Sequence, residues 1–201
     1  MGRLELAIEE YGHDDDLLAV RQSLEDADGR IDEMLEFARL GSVITDPERV
    51  PLSEAASAAW ETLEVGEATL TIVESVELRG DVERIERLFE NLFRNCVEHG
   101  STSDRPKADD AVGHAGGDGG VSVRLGPLDG RPGFFVEDDG PGIPEDEREA
   151  VFESGHTTSE DGSGFGLAIV REIASAHGWA VRVTDSEAGG ARFEFDSADP
   201  G

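Results

Sequence analysis

Glu137-Asp138-Asp139-Gly140-Pro141-Gly142-Ile143-Pro144, followed some twenty residues on by Gly162-Ser163-Gly164-Phe165-Gly166-Leu167, is the stretch that decides how this chain is read. Glycine removes the side-chain barrier and reaches backbone conformations closed to other residues, so two such turns let backbone N–H groups come close to a polyanion. A phosphate-bearing ligand is the first implication. The Lys-Ser/Thr ending of a P-loop is absent, and the second box does not follow a strand as a dinucleotide fingerprint does. A nucleotide site of another kind is required.

Upstream of the boxes, Asp81 opens a strongly amphipathic helix whose Val82, Ile85, Leu88, Phe89, Leu92, Phe93 and Cys96 form one broad apolar arc. At 100° per residue, Asn91, Asn95 and His99 run in a row along one margin of that arc, where core meets cleft. Further helices are expected at 52–63, 145–152 and 165–177, and strands at 68–73, 75–78, 121–125, 133–138, 180–184 and 191–195. That order predicts an α+β fold, a two-layer α/β sandwich. Residues 101–120, rich in Gly, Asp and Ser, read as a flexible loop.

Before the sandwich, Leu17, Val20, Leu24, Ala27, Ile31, Met34 and Ala38 make a heptad stripe along a helix at 14–40. Leu4, Ala7, Ile8 and Tyr11 supply a short first arm, and Gly12 marks the turn. A helical hairpin over 1–41 therefore precedes a domain over 42–201, with Gly41 to Pro51 as linker. The short arm cannot cover the whole seam, which favours a homodimer.

The chain has 201 residues and a formal net charge of −29, with Lys107 as its single lysine. Such acidity repels nucleic-acid phosphates and anionic membranes, so neither is expected as a partner. It resembles the proteins of salt-loving archaea, whose concentrated salt screens the repulsion. Cys96 is the one cysteine, which rules out an intramolecular disulfide, and its place on the apolar arc predicts a buried thiol. No apolar run reaches about eighteen residues and no leader opens the chain, so a cytoplasmic protein without a membrane segment is expected.

Two asparagines four apart, then Asp-x-Gly-x-Gly after a strand, then Gly-x-Gly-x-Gly opening a helix, together resemble the ATP-binding domain of sensor histidine kinases. That domain belongs to the wider group shared with type II topoisomerases, the Hsp90 chaperones and MutL. The likeness runs from Pro51 to the C-terminus, and Phe152 to Val170 is especially similar to halobacterial members. The resemblance implies ATP and Mg as cofactors. It makes Asn95 the magnesium ligand with Asn91 beside it, and puts His99 near the phosphates. Asp138 would read adenine through its exocyclic amine, Gly140 and Gly142 would let backbone pass the base, and Ile143 would pack on the ring. Gly162, Gly164 and Gly166 would close over the phosphates with Phe165 and Leu167 at the start of the next helix, Leu167 on its core side. Phe152 matches the lid phenylalanine, with an ATP lid over 153–163. Glu90, next to Asn91, matches an acid that acts as base for transfer in many relatives. Two positions depart from the pattern: Glu98 stands where many relatives carry lysine, leaving Arg94 as the cationic alternative, and Ala191 stands where many carry Thr or Ser.

A histidine kinase of two-component signalling also needs an acceptor in a motif resembling His-Asp/Glu-x-Arg-x-Pro, and none is present. His13 lacks the Arg and Pro and falls at the hairpin turn, while His114, His156 and His177 are explained locally. Gly2 to Ala7 resembles the segment just downstream of an acceptor. The resemblance thus implies a protein histidine kinase that supplies Mg-ATP and transfers phosphate to a histidine absent from this chain. Its partners would be a response regulator and an intact histidine kinase in trans. The alternative is a non-catalytic ATP-binding dimerisation or adaptor module; a third reading is an ATPase resembling the chaperones or mismatch-repair proteins, which place a catalytic acid near Glu90.

Overall fold

The computed structural model describes residue 44 and residues 46–100, 120–156 and 164–197. The hairpin over 1–41, the loop over 101–119, Gly162 and most of the lid lie outside the described residues.

Pro51 ends β1 (Glu48–Pro51) with φ −68° and hands directly to α1 (Leu52–Glu61). Its ring fixes φ near the helical value and it has no N–H to satisfy, so the transition from strand to helix is cheap there. Leu52, Ala55, Ala56 and Ala59 are the buried stripe of α1. Three alanines at this spacing let α1 lie close against α2 (Val82–Gly100). The start of α2 is set by Asp81, whose Oδ1 accepts the Arg84 backbone N–H at 3.1 Å, an N-cap bond to the third helical position. The predicted arc of α2 is realised: Ile85, Leu88, Phe89, Leu92, Phe93 and Cys96 are buried.

The main sheet has five strands in the order β2 (Thr69–Ile72), β4 (Ser122–Pro127), β5 (Gly133–Asp138), β7 (Ala191–Ser197) and β6 (Trp179–Asp185). β2 and β4 run parallel and the other neighbours antiparallel. Register places Val136 opposite Phe193 and Leu125, and Phe134 opposite Phe195, so one face of the sheet is a continuous aromatic and aliphatic layer. Phe134 is its hub, stacked on Phe195 at 4.6 Å and edge-on to Trp179 at 5.6 Å, with Phe89 of α2 tilted over it at 5.8 Å. α3 (Gly166–Ala176) adds Ile169, Val170 and Ile173 to the same core. The result is the α+β sandwich expected from the sequence.

Two elements differ from expectation. The segment read as a strand at 75–78 is β3 (Glu77–Gly80), and it leaves the main sheet to pair with β1, a strand that lay hidden in the presumed linker. The helix expected at 145–152 is a single 3-10 turn at Ala150–Phe152. Only Val151 and Phe152 are buried there, and the acidic run before them offers no apolar stripe with which to dock a longer helix.

No described helix covers the other face of the main sheet; ion pairs close it instead. Glu137 is buried between Arg124 at 2.6 Å and Arg192 at 2.8 Å, while the Arg192 guanidinium lies 3.7 Å over the Phe135 ring. Glu194 accepts from Arg131 and Arg182 at 2.6 Å and from Arg192 at 3.0 Å. Burial alone would raise the Glu194 carboxyl, but hydrogen bonds from Arg192, Arg182 and Arg131 pull it down to about 2.

Candidate functional site

Alternation along β5 turns Phe134, Val136 and Asp138 to the core side, so the last of them brings a carboxylate to the end of an apolar layer. Asp138 is 7% exposed. Its Oδ1 accepts the Gly140 N–H at 2.8 Å and the Ala191 N–H at 3.1 Å. Burial raises the Asp138 carboxyl above its ordinary value, and the hydrogen bonds from Gly140 and Ala191 work against the rise. Burial and the neighbouring carboxylate push the Cys96 thiol well up.

The cradle around this carboxylate is built of backbone. A Cβ on Gly190 would lie 2.3 Å from both the Asp138 carbonyl oxygen and Oδ1; one on Gly140 would lie 3.0 Å from Oδ1 and 3.2 Å from Gly100 Cα. Gly142, at φ +76°, rests over the carbonyls of Gly189 and Gly190. Gly190 and the Ala191 N–H were missed in the sequence; the paired glycines just before a strand were the only signal. Ile143 is half-buried against the core, and its carbonyl accepts from Arg148 Nε at 3.1 Å while Arg148 also pairs with Asp185. Asp139 faces elsewhere, its Oδ1 accepting the Ser122 N–H at 2.8 Å, which leaves Asp138 as the carboxylate of the cradle.

Five residues before Cys96 on the same helix, Asn91 is 3% exposed. Its Nδ2 donates to the Arg87 carbonyl at 2.8 Å, and its Oδ1 has no partner among the described residues. A Cβ on Gly166 would sit 3.4 Å from that oxygen, so the asparagine row meets the second glycine box where α3 begins. Asn95 and His99 follow at half-buried positions, as a row along a cleft margin requires, and Glu98 is exposed. A buried, unpartnered amide oxygen with a second amide one turn on suits a hard divalent cation that also carries phosphate oxygens and water. Among the described residues no cluster of three or more His, Cys, Asp or Glu competes for such an ion. Glu90 Oε2 accepts from Arg87 Nη1 at 2.9 Å, which ties it to the helix surface beside Asn91.

Phe152 is buried and edge-on to Phe193 at 6.4 Å, with the Arg171 guanidinium 5.9 Å over its ring, so it anchors the chain before the lid. The Gly155 N–H donates to the Gly164 carbonyl at 3.0 Å, clasping the two ends of the segment between them. Gly164 has φ +73°, and a Cβ there would come within 2.7 Å of Gly155 backbone. Phe165 occupies the N-cap position of α3, and Leu167 packs half-buried against the core. The first N–H groups of α3, free of intrahelical partners, open beside Asn91 Oδ1. His177 is engaged structurally: its Nδ1 donates to the Ile173 carbonyl at 2.8 Å, its Nε2 accepts the Asp81 N–H at 3.1 Å, and its ring stacks on Trp179 at 4.3 Å. Among the described residues no helix is long and apolar enough to cross a membrane.

A cradle for one carboxylate at the end of β5 and an asparagine row facing a glycine-opened helix together define a nucleotide-binding sandwich. Residues 80–200 match the family described as histidine kinase-, DNA gyrase B- and HSP90-like ATPase, and the chain belongs to that family. It is 43% identical over 95 residues to the sensor-type histidine kinase PrrB of Mycobacterium leprae (strain TN), covering 44% of this chain and 21% of PrrB. It is 32% identical over 172 residues to the histidine-protein kinase/phosphatase MprB of Mycobacterium sp. (strain KMS), covering 80% of this chain and 32% of MprB. Among solved structures, full-length ShkA in complex with AMPPNP superposes with a TM-score of 0.61 at 28% identity, over 91% of this chain and 38% of that one. The chain therefore spans a fifth to a third of the length of these two curated relatives.

Proposed function

We propose that this chain binds Mg-ATP and supplies the phosphoryl-transfer half of a two-component histidine kinase, with a histidine other than its own five as acceptor. The observation that carries the reading is the pairing of two sites along one helix. Gly100 of α2 lies against Gly140 of the Asp138 cradle and Asn91 of α2 lies against Gly166, nine residues or about 13.5 Å apart along the axis. That separation is on the scale of a nucleotide with its base at one end and its phosphates at the other. Kinship with PrrB and MprB, both named as histidine kinases, supports the reaction class. The AMPPNP in the ShkA structure supports the ligand.

In this reading the Asp138 oxygen not held by backbone accepts the exocyclic amine of adenine, which guanine, with a carbonyl there, does not offer. The Asn91 and Asn95 amide oxygens hold magnesium, which when bound neutralises charge on the transferring phosphoryl group. The N–H groups at the start of α3 meet the phosphates, and the lid between Gly155 and Gly164 closes over them. Glu90 stands beside Asn91 as the candidate base, and His99 lies further along the same row. The hairpin over 1–41 forms the homodimer, and a response regulator is the downstream partner.

The test is isothermal titration with Mg-ATP of the full chain and of Asp138→Asn, followed by incubation with labelled ATP and a separate acceptor-bearing hairpin. Binding that Asp138→Asn weakens, with label on the hairpin, supports the proposal; absence of binding refutes it. The lack of an acceptor motif around any of the five histidines favours one second reading, a non-catalytic ATP-binding module acting on an intact kinase or regulator. Binding without label transfer is its signature.

A further inference from the structure

We propose that Arg148 is a positioning residue for the base: its guanidinium ties the Ile143 carbonyl to Asp185 at the end of β6 and so sets the side chain that packs on the adenine ring. This rests on the reading of the site as an ATP site.

The loop that carries Ile143 has little else to hold it. Residues 139–149 form no α-helix or strand. Pro141 and Pro144 flank the Gly142-Ile143 pair and have no N–H with which to tie it down. The backbone bonds that follow, from Glu147 N–H to the Pro144 carbonyl and from Val151 N–H to the Glu147 carbonyl, both at 2.9 Å, curl the chain beyond Ile143. At Ile143 itself the bond is to a side chain: its carbonyl accepts from Arg148 Nε at 3.1 Å, and Nη2 of the same guanidinium bonds Asp185. A rigid planar fork with several donors can span two acceptors in this way and fix their relative place.

The far end of the tether is firm. Asp185 is the last residue of β6 and is paired with Ala191 of β7. The turn between them is closed by Ser186 N–H to the Gly190 carbonyl at 2.9 Å and by Gly189 N–H to the Ser186 carbonyl at 3.0 Å. This is the hairpin whose Gly190 presses on Asp138 and whose Gly189 and Gly190 carbonyls lie under Gly142. The loop therefore meets the hairpin by packing just before Ile143 and through Arg148 at Ile143. Asp138 and Ile143, the two side chains assigned to the base, are referred to one frame. As a source of stability the ion pair is weak, because the Asp185 side chain is 77% exposed. Its effect is on where Ile143 stands.

The experiment is a double-mutant cycle read by calorimetric titration of Mg-ATP into the full chain. Arg148→Ala and Asp185→Ala are each made alone and combined with Ile143→Ala, and Tm is measured for every variant without nucleotide. Ile143→Ala by itself weakens ATP about tenfold, the apolar contact with the ring being lost. Arg148→Ala weakens ATP about fivefold when isoleucine is present and less than about twofold when it is not, since no side chain is then left to place. Asp185→Ala acts in the same direction, about threefold with Ile143 and less than about twofold without it. Its exposed position keeps Tm within about 3 °C of wild type, so the cycle through Asp185 still decides if Arg148→Ala does not fold.

ATP affinity unchanged in both Arg148→Ala and Asp185→Ala overturns the proposal. So does an equal loss with and without Ile143, which marks the pair as acting on the site by another route. Failure of the wild type to bind ATP overturns the ATP-site reading and this inference with it, and is seen in the first titration. ATP binding by wild type that Ile143→Ala leaves unchanged spares that reading and overturns this inference alone.

Discussion

Gly190→Ala is the sharpest test of how the base end of the site is built. The added Cβ would stand 2.3 Å from the Asp138 carbonyl oxygen, 2.3 Å from its Oδ1 and 2.7 Å from its carbonyl carbon. Two of these three atoms are backbone of β5, a strand paired on both sides, so no flexible side-chain end can simply swing away. Gly190 does not need a positive φ, which makes the change purely steric. The strand junction must therefore open. Overpacking of this kind costs about 1–3 kcal/mol. Moving Oδ1 off the Ala191 N–H, a bond of 3.1 Å, removes a charge-assisted interaction worth about 1.5–3 kcal/mol. The two losses overlap, since one displacement causes both, so a total of about 2–4 kcal/mol is expected. For a domain of this size that lowers Tm by roughly 4–16 °C, at about 2–4 °C per kcal/mol. Differential scanning calorimetry in the absence of nucleotide reads the first effect. Calorimetric titration with Mg-ATP, at a temperature where the variant is folded, reads a loss of at least about tenfold in affinity. A Tm within about 2 °C of wild type together with unchanged ATP affinity would refute the steric argument and the place given to Asp138.

Gly164→Ala forces a side chain at φ +73° into the Gly155 backbone, and limited proteolysis should cut between residues 155 and 164 several-fold faster than in wild type, with or without ATP. Glu194→Gln should cost about 2 kcal/mol at neutral pH, after allowing for partial solvent screening of its arginine partners. Because the Glu194 carboxyl is held down to about 2 in the fold, its contribution is complete above the ordinary carboxylate range and disappears as pH falls toward 2, so the two chemical-denaturation curves should converge in acid. His177 is lowered by burial, so the unfolded chain binds its proton first: stability is complete above the ordinary histidine range and falls as pH drops through it. His177→Gln should flatten that slope in urea titrations between about pH 7 and 5, and an unchanged slope would mean that His177 is not the group whose protonation the fold opposes.

What could be read from sequence was whatever a single element's periodicity encodes. The apolar arc of α2 repeats at helical spacing, so the arc, its margin of Asn91, Asn95 and His99, and the burial of Cys96 all followed from counting residues. Asp138 was singled out by the resemblance of its Asp-x-Gly-x-Gly box to the ATP-binding domain of sensor histidine kinases. What could not be read depends on contacts between distant segments. β1 has four residues in a stretch that looks like linker, and only its pairing with β3 makes it a strand. Arg124, Glu137, Arg192 and Glu194 read as ordinary surface charges in a very acidic chain. Register across β4, β5, β7 and β6 turns them into one lattice over Phe135. Gly190 reads as half of a flexible turn until β7 is set against β5.

The same register explains why the site lies where it does. β5 is central, and its two faces are finished differently: helices cover Phe134 and Val136, and arginines cover Phe135 and Glu137. Asp138 is the residue at which the strand runs out of both covers, so its carboxylate must be satisfied by what the neighbouring turns can offer. Those offers are the backbone N–H groups of Gly140 and Ala191, both directed at Oδ1. A carboxylate anchored in this way has less freedom to lose when a base arrives, which favours selective recognition at modest cost in ordering. Asn91 is the opposite case, with an oxygen buried and unsatisfied among the described residues. Leaving that acceptor unpaired costs about 1–3 kcal/mol, and a ligand that satisfies it recovers the loss on binding. Recognition is thus prepaid at the base end and deferred at the phosphate end, so nucleotide binding should stabilise α2 and the start of α3 more than β5. Amide hydrogen exchange with and without Mg-ATP decides this: equal protection of β5 and of residues 88–95 would remove the argument.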